Sequence, residues 1–77
     1  MKTDELKALT EAHVINTYGA RTTAFVRGKG TALWDAEGNE YLDFFGGIAV
    51  VALGHCHPKV TDAVAAQAST LVHVSNL

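Results

Sequence analysis

The chain has 77 residues, of which 48% are hydrophobic and 18% are charged, and its formal net charge is −2. This length permits one small domain at most, and the apolar fraction argues against disorder. The mixed charges form no basic stripe, which argues against a dedicated nucleic-acid or acidic-lipid binder.

The composition also favours a particular compartment. The single cysteine excludes an internal disulfide framework. The opening residues 1–6 are too acidic and too weakly apolar for a signal or transit peptide. The apolar run 44–53 is about half of the ~20 residues that a membrane helix requires. We therefore expect a cytoplasmic protein with no membrane contact.

The first predicted element is a helix over residues 3–16. Thr3 can cap its start, and Asp4 and Glu5 lie in the first turn, where negative charge favours the helix dipole. Its apolar stripe is narrow, so we expect the helix to pack against a surface outside this chain. Residues 17–22 show no clear period and are predicted to be a connector.

Three short strands follow, each rich in β-branched or aromatic residues. They are predicted over residues 23–27, 31–35 and 40–44. Residues 28–30 (Gly-Lys-Gly) are predicted to form the first turn. Residues 35–39 (Asp-Ala-Glu-Gly-Asn) are a hairpin signal, with Gly38 suited to the left-handed position after a type I turn. This order predicts an antiparallel meander.

A second helix is predicted to begin at Pro58, since proline fits the first helical position. Apolar residues then recur at helical spacing along one face. They are Val60, Ala63, Val64, Ala68 and Leu71. The predicted fold class is therefore α+β, with an N-terminal helix, a three-stranded antiparallel meander and a helix.

The run His55, Cys56, His57 has two interpretations. Imidazole and thiolate are zinc ligands, and His13 or His73 could complete a set. The adjacent positions lack the CxxC or HxxxH spacing of zinc sites, however, and no second pair follows. The favoured interpretation is that His55 or His57 caps the following helix and that Cys56 packs as a small hydrophobe. No metal site is predicted.

The glycines do not fit a phosphate-binding motif. Residues 28–30 lack the GxxxxGK[ST] spacing and lead into a strand, and Gly46, Gly47 and Gly54 lack the GxGxxG spacing. Glycine here is expected to let the backbone approach a neighbouring chain or a ligand closely.

No residue of the chain is predicted to be catalytic or to bind a cofactor. A lysine that forms a Schiff base must be buried or lie beside another cation, so that its free amine is available at neutral pH. All four lysines are expected to be solvated and protonated. They are Lys2, Lys7, Lys29 and Lys59.

Several motifs together resemble the N-terminal part of the class III (fold type I) pyridoxal-phosphate aminotransferases. They are residues 27–30 (RGKG), 33–38 (LWDAEG), 41–44 (YLDF), 47–50 (GIAV), 53–58 (LGHCHP) and 75–77 (SNL). The likeness covers residues 16–77. GIAV and SNL make it closest to the acetylornithine and ornithine enzymes. Val51 departs from the pattern, because acetylornithine enzymes commonly carry asparagine there.

The resemblance implies a homodimer with a large α/β domain, which holds the cofactor, and a smaller domain built from both chain ends. Residues 1–77 would then be a single unit, part of the small domain and the start of the crossing to the large one. The lysine that carries pyridoxal 5'-phosphate would lie beyond Leu77. We therefore expect the chain to be a fragment that is inactive and binds no cofactor alone.

The resemblance also implies an activity for the parent enzyme. It would transfer the δ-amino group of N-acetylornithine to 2-oxoglutarate, in arginine biosynthesis. Tyr18 matches a substrate-contacting residue of the ornithine enzymes, and the alternative is a tyrosine packed at the end of the first helix. Ornithine, succinylornithine and 4-aminobutyrate enzymes, and a non-catalytic α+β interaction module, remain as alternatives.

Overall fold

The computed structural model describes residues 1–77 as three helices and three strands. The elements in chain order are α1 (Thr3–His13), β1 (Phe25–Lys29), β2 (Ala32–Asp35), β3 (Glu40–Leu42), α2 (Gly46–Ala49) and α3 (Pro58–Ala68). The strands form one antiparallel sheet in the order β1-β2-β3. The predicted α+β class and the meander are confirmed.

The two faces of the sheet differ in character. Leu33 lies opposite Gly28 on one side and Tyr41 on the other, so these residues share a face. The Tyr41 ring meets Phe25 edge to face, with 5.3 Å between ring centroids. On the other face the Arg27 guanidinium lies 3.7 Å from the centre of the Trp34 ring. One face is therefore apolar, and the other carries a cation.

Helix α1 is shorter than predicted, and its start is stabilised differently. It ends at His13, and Val14 is already extended (φ −117°, ψ 134°). Thr3 does not cap it, because Lys2 occupies the cap position and makes no side-chain cap. Instead, the backbone N–H and the hydroxyl of Thr3 both donate to the carboxylate of Glu37. The capping prediction was wrong because Thr3 finds this distant acceptor.

The strand bounds also shift. β1 continues to Lys29, which pairs with Ala32, so the turn lies at Gly30 (φ 58°) rather than over residues 28–30. β3 ends at Leu42, since the next residue bonds its carboxylate to the backbone that follows. The hairpin prediction is confirmed, with Gly38 at φ 90°.

Helix α3 begins at Pro58, as predicted. The ring of His57 is its N-cap, where Nδ1 accepts a hydrogen bond of 3.2 Å from the N–H of Lys59. The helix ends at Ala68, so Leu71 lies just beyond it, with its N–H bonded to the carbonyl of Gln67. No residue of α3 is buried.

The chain has no hydrophobic core of its own, since its only buried residue is the charged Asp35. Its accessible surface is 6645 Å², against roughly 4,500 Å² for a compact monomer of this mass. Its radius of gyration is 15.7 Å, against roughly 11.5 Å for a compact domain of this length. Large apolar side chains are exposed, among them Phe44 and Ile48. No helix combines the length and apolar character that crossing a membrane would need.

Candidate functional site

A short polar contact joins the end of β3 to the segment before α3. His55 Nε2 lies 2.5 Å from Asp43 Oδ2, and the two side chains are 20% and 8% exposed. The other oxygen of Asp43 accepts the backbone N–H groups of Phe45 and Gly46, each at 2.9 Å. The Gly46 N–H first, and the His55 ring second, hold the pKa of Asp43 below its ordinary value. Since the ionised carboxylate has no hydrogen to donate, Nε2 is the donor of the pair.

Glycine makes room for His55 on the sheet. The N–H of Gly30 donates to the carbonyl of His55 at 3.0 Å, and the N–H of His55 donates back at 2.8 Å. A Cβ added to Gly28 would lie 2.9 Å from both Cβ and Cγ of His55, and one added to Gly54 would lie 3.1 Å from the Gly30 backbone. Gly54 therefore allows a close approach, but to the Gly30 turn of the same sheet rather than to a neighbouring chain or a ligand. Gly46 and Gly47 show only ordinary contacts, with the nearest atoms 3.7 Å from an added Cβ.

The element α2 (Gly46–Ala49) is not a regular α-helix but a strained left-handed turn beside this pair. Gly46, Gly47, Ile48 and Ala49 all have positive φ, between 59° and 63°. The turn is closed by the N–H of Ala49, which donates to the carbonyl of Phe45 at 3.0 Å. Glycine adopts this conformation freely, but each other residue costs roughly 1–2 kcal/mol. Such strain persists where surrounding contacts over-determine it, and it clusters at functional sites. The turn is therefore the main backbone candidate for function.

The buried Asp35 organises the β2–β3 hairpin. One carboxylate oxygen accepts the N–H groups of Glu37 and Asn39, and the other accepts the Asn39 amide and the Tyr41 hydroxyl. The Asn39 amide is the main cause that lowers the pKa of Asp35. The hydrogen bond to Asp35 raises the pKa of Tyr41. All the acceptors are satisfied, so this carboxylate is structural and fixes the Tyr41 ring on the apolar face.

Tyr18 lies apart from these residues. It follows α1 in the connector, where the Asn16 side chain accepts the N–H of Gly19 at 2.9 Å, and its ring is 88% exposed. The alternative, a Tyr18 ring packed at the end of α1, is not found in this chain. A cavity of about 360 Å³ lies between α1 and the connector, with Lys7 and Arg21 among its lining residues and Tyr18 outside it. The contact of Tyr18 with substrate stays a prediction.

The three residues before α3 are engaged separately. His55 pairs with Asp43, and His57 caps α3, which confirms the capping interpretation. Cys56 is exposed, with φ 56°. Its predicted packing is not found in this chain, where its side chain is exposed. The chain has no group of three or more histidine, cysteine or acidic residues placed to hold a metal ion.

The residues present do not form a site for pyridoxal phosphate. Lys2, Lys29 and Lys59 are exposed. Lys7 is half-buried against the cavity beside α1, so the expectation that it is solvated holds only in part. No lysine is fully buried, and the N-terminus of α3 is occupied by the His57 cap rather than free for a phosphate. No step of cofactor chemistry is assigned to this chain.

Comparison with solved structures defines the fold. The chain is similar to the acetylornithine aminotransferase of Elizabethkingia anophelis, with a TM-score of 0.86 and 34% identity, over 99% of this chain and 20% of that one. It is also similar to the ornithine delta-aminotransferase of Plasmodium falciparum, with a TM-score of 0.86 and 28% identity, over 99% and 19%. Both are fold type I aminotransferases.

The sequence comparisons define the family. The family model for class III aminotransferases matches residues 15–77. The chain is 54% identical to the acetylornithine aminotransferase of Streptomyces coelicolor over its whole length, which is 19% of that protein. The chain belongs to the class III aminotransferase family, whose members depend on pyridoxal phosphate. It spans about a fifth of the length of the curated relatives it matches.

Proposed function

We propose that the chain is the N-terminal part of a pyridoxal-phosphate-dependent acetylornithine aminotransferase. The parent enzyme would transfer the δ-amino group of N-acetylornithine to 2-oxoglutarate, in the cytoplasm, as a step of arginine biosynthesis. The observation that carries the proposal is the 54% identity to the Streptomyces coelicolor acetylornithine enzyme along all 77 residues.

Within that enzyme, residues 1–77 would form part of the small domain and the start of the crossing to the large domain. The support is the exposed apolar surface, since burying such surface is the main favourable term in folding. Its partners would be the remainder of the same chain and a second subunit of a homodimer. The cofactor-bearing lysine would lie outside this segment, because no lysine of the chain is fully buried.

Tyr18 is the proposed point of contact with substrate. Tyr18 is exposed, and its hydroxyl makes no hydrogen bond within the chain. A phenol can donate to a carboxylate and accept from an ammonium group. We therefore assign it to the mouth of the pocket, toward the amino or carboxylate group of the amino-acid substrate.

Another class III activity is the second candidate. The ornithine enzyme of Plasmodium falciparum has the same TM-score as the acetylornithine enzyme of Elizabethkingia anophelis, although its identity is lower. Backbone shape therefore does not separate these amino donors, and an assay with each donor does. Succinylornithine and 4-aminobutyrate belong in the same comparison. A non-catalytic module would support no transfer from any of them.

A chimeric enzyme provides the test. Residues 1–77 replace the matching 19% of the Streptomyces coelicolor enzyme, and the chimeric enzyme is expressed in a host that lacks acetylornithine aminotransferase. We expect growth without arginine. The matched control is the Streptomyces enzyme from which the segment is deleted, which should not support growth. A chimeric protein that accumulates in folded form and fails to restore growth would contradict the proposal.

The isolated chain gives a second test. With no fully buried lysine, it should show no transaminase activity and no absorbance band from bound pyridoxal phosphate. After free cofactor has been removed, borohydride reduction followed by peptide mass spectrometry should find no stoichiometric cofactor on any one lysine. A stable adduct at one lysine would mean that the cofactor site lies within these residues.

A further inference from the structure

Asp43 contacts two parts of the chain through different oxygens. Oδ1 accepts the two N–H groups that open the left-handed turn of residues 46–49, and Oδ2 binds the ring of His55. His55 in turn is bonded through its backbone to Gly30 in both directions. A continuous path of hydrogen bonds therefore runs from the sheet, through His55 and Asp43, to the turn.

The turn has few other contacts to hold it. Its interior hydrogen bonds join residues 45–51 to one another, and none of them reaches the sheet. Ile48 is 78% exposed and Val50 is 77% exposed, so side-chain packing within the chain does not hold the turn either. The side chain of Asp43 is only 8% exposed and is held from both sides. The N–H of Asp43 also donates to the carbonyl of Thr31 at 2.7 Å. Within this chain, Asp43 is therefore the residue that joins the turn to the sheet, through its backbone and through both of its carboxylate oxygens.

We infer that Asp43 is a positioning residue that fixes the strained turn of residues 46–49 against the sheet by way of His55. The turn carries the exposed Ile48 at a left-handed φ of 63°. The conformation of the turn would therefore depend on the His55 ring, which lies outside the turn. This inference concerns backbone shape and holds whichever amino donor the parent enzyme uses. It rests on the proposed function only in that the test is made in the chimeric enzyme.

Amide hydrogen exchange in the chimeric enzyme measures the inference directly. The reporters are the peptides that contain the N–H groups of Ala49, Val50 and Val51, which close the turn. Asp43→Ala should speed their exchange by about tenfold or more, since it removes the oxygen that accepts both turn-opening N–H groups, together with the His55 contact. The matched control is Asp62→Ala, which removes an exposed carboxylate on α3 and should leave these peptides unchanged.

Variants of His55 separate positioning from simple capping. His55→Ala leaves the Asp43 side chain in place but removes its partner, and we expect the turn peptides to exchange about 3- to 10-fold faster. His55→Gln should restore slow exchange, because its side-chain amide can donate to the same carboxylate oxygen. If Asp43 merely caps the turn, neither His55 variant will alter the exchange of these peptides.

The results of these exchange experiments can be distinguished from a failure of the proposed function. Activity of the unsubstituted chimeric enzyme tests the function, and exchange in its variants tests the positioning. If Asp43→Ala does not fold, the two His55 variants still decide the matter. Unchanged turn exchange in His55→Ala overturns the inference. So does a His55→Gln variant that exchanges as fast as His55→Ala.

Discussion

Replacing Gly28 by alanine should disturb the packing of His55 against the sheet. The added Cβ would lie 2.9 Å from Cβ and Cγ of His55 and 3.2 Å from a methyl group of Leu33. Overpacking of this kind costs about 1–3 kcal/mol. Gly28 does not have a positive φ, so alanine fits its backbone conformation. Alanine also lowers the conformational entropy of the unfolded chain, which offsets about 0.4–1 kcal/mol of that cost. The middle values of the two ranges, about 2 and about 0.7 kcal/mol, give a net cost of about 1.3 kcal/mol, and we expect a result of about 1–2 kcal/mol.

The reciprocal hydrogen bonds between Gly30 and His55 report this cost. In the chimeric enzyme, their amide protons should exchange about 5- to 30-fold faster in Gly28→Ala, the factor that corresponds to 1–2 kcal/mol. Lys29→Ala is the matched control in the same strand. In this variant the exchange rates of the Gly30 and His55 amides should stay within about twofold of those in the unsubstituted enzyme, because substitutions at exposed positions cost little stability.

A double-substitution cycle identifies the contact responsible. In a His55→Ala background one of the two close atoms, Cγ, is gone while Cβ remains, so Gly28→Ala should cost less by about 0.5 kcal/mol or more. The reasoning is refuted if Gly28→Ala leaves both amides unchanged. It is also refuted if the cost is the same with and without the ring.

Three further predictions concern other residues. The pKa of Asp35 in the folded chain lies below its ordinary value of 3.8, so its ionised form stabilises the hairpin above that pH and the stabilisation is lost as pH falls through the folded pKa. The protection factors of the hairpin amides, which correct the observed exchange for its intrinsic pH dependence, should be steady from neutral pH to about 4 and fall below it, and Asp35→Asn should remove this fall. Thr3→Ala removes one of two donors to Glu37, so α1 peptides should exchange about 2- to 10-fold faster while Thr61→Ala changes nothing. Tyr18→Phe in the chimeric enzyme should raise KM for the amino donor about 5- to 10-fold with stability unchanged, and an unaltered KM would remove Tyr18 from the pocket.

The elements that local chemistry dictates could be predicted. Pro58 and the ring of His57 act within one helical turn, so their joint start of α3 is visible in sequence order. Gly38 likewise follows Asp35 within one hairpin, and the hairpin forms as the residues indicate. In each case the partner atoms are separated by a few residues.

The contacts that were missed join distant residues. Thr3 prefers Glu37 to its own helix, and Asp43 meets His55 only after the chain has returned to the sheet. The left-handed turn was also missed, because Ile48 is a poor residue for positive φ and its own preference points elsewhere. Asp43 lies three residues before Gly46, and an aspartate so close to two glycines is a weak turn signal that could have drawn attention to this site. Its pairing with His55 had no local signature.

The most direct test of the proposed function is the specificity of the purified chimeric enzyme. Its kcat/KM for N-acetylornithine with 2-oxoglutarate is compared with that of the unmodified Streptomyces coelicolor enzyme, alongside ornithine, succinylornithine and 4-aminobutyrate as donors. We expect N-acetylornithine to be preferred, with kcat/KM within about tenfold of the unmodified enzyme, equal to about 1.4 kcal/mol of transition-state stabilisation. A folded, cofactor-loaded chimeric enzyme that turns over none of these donors, or that prefers another of them, would contradict the assignment.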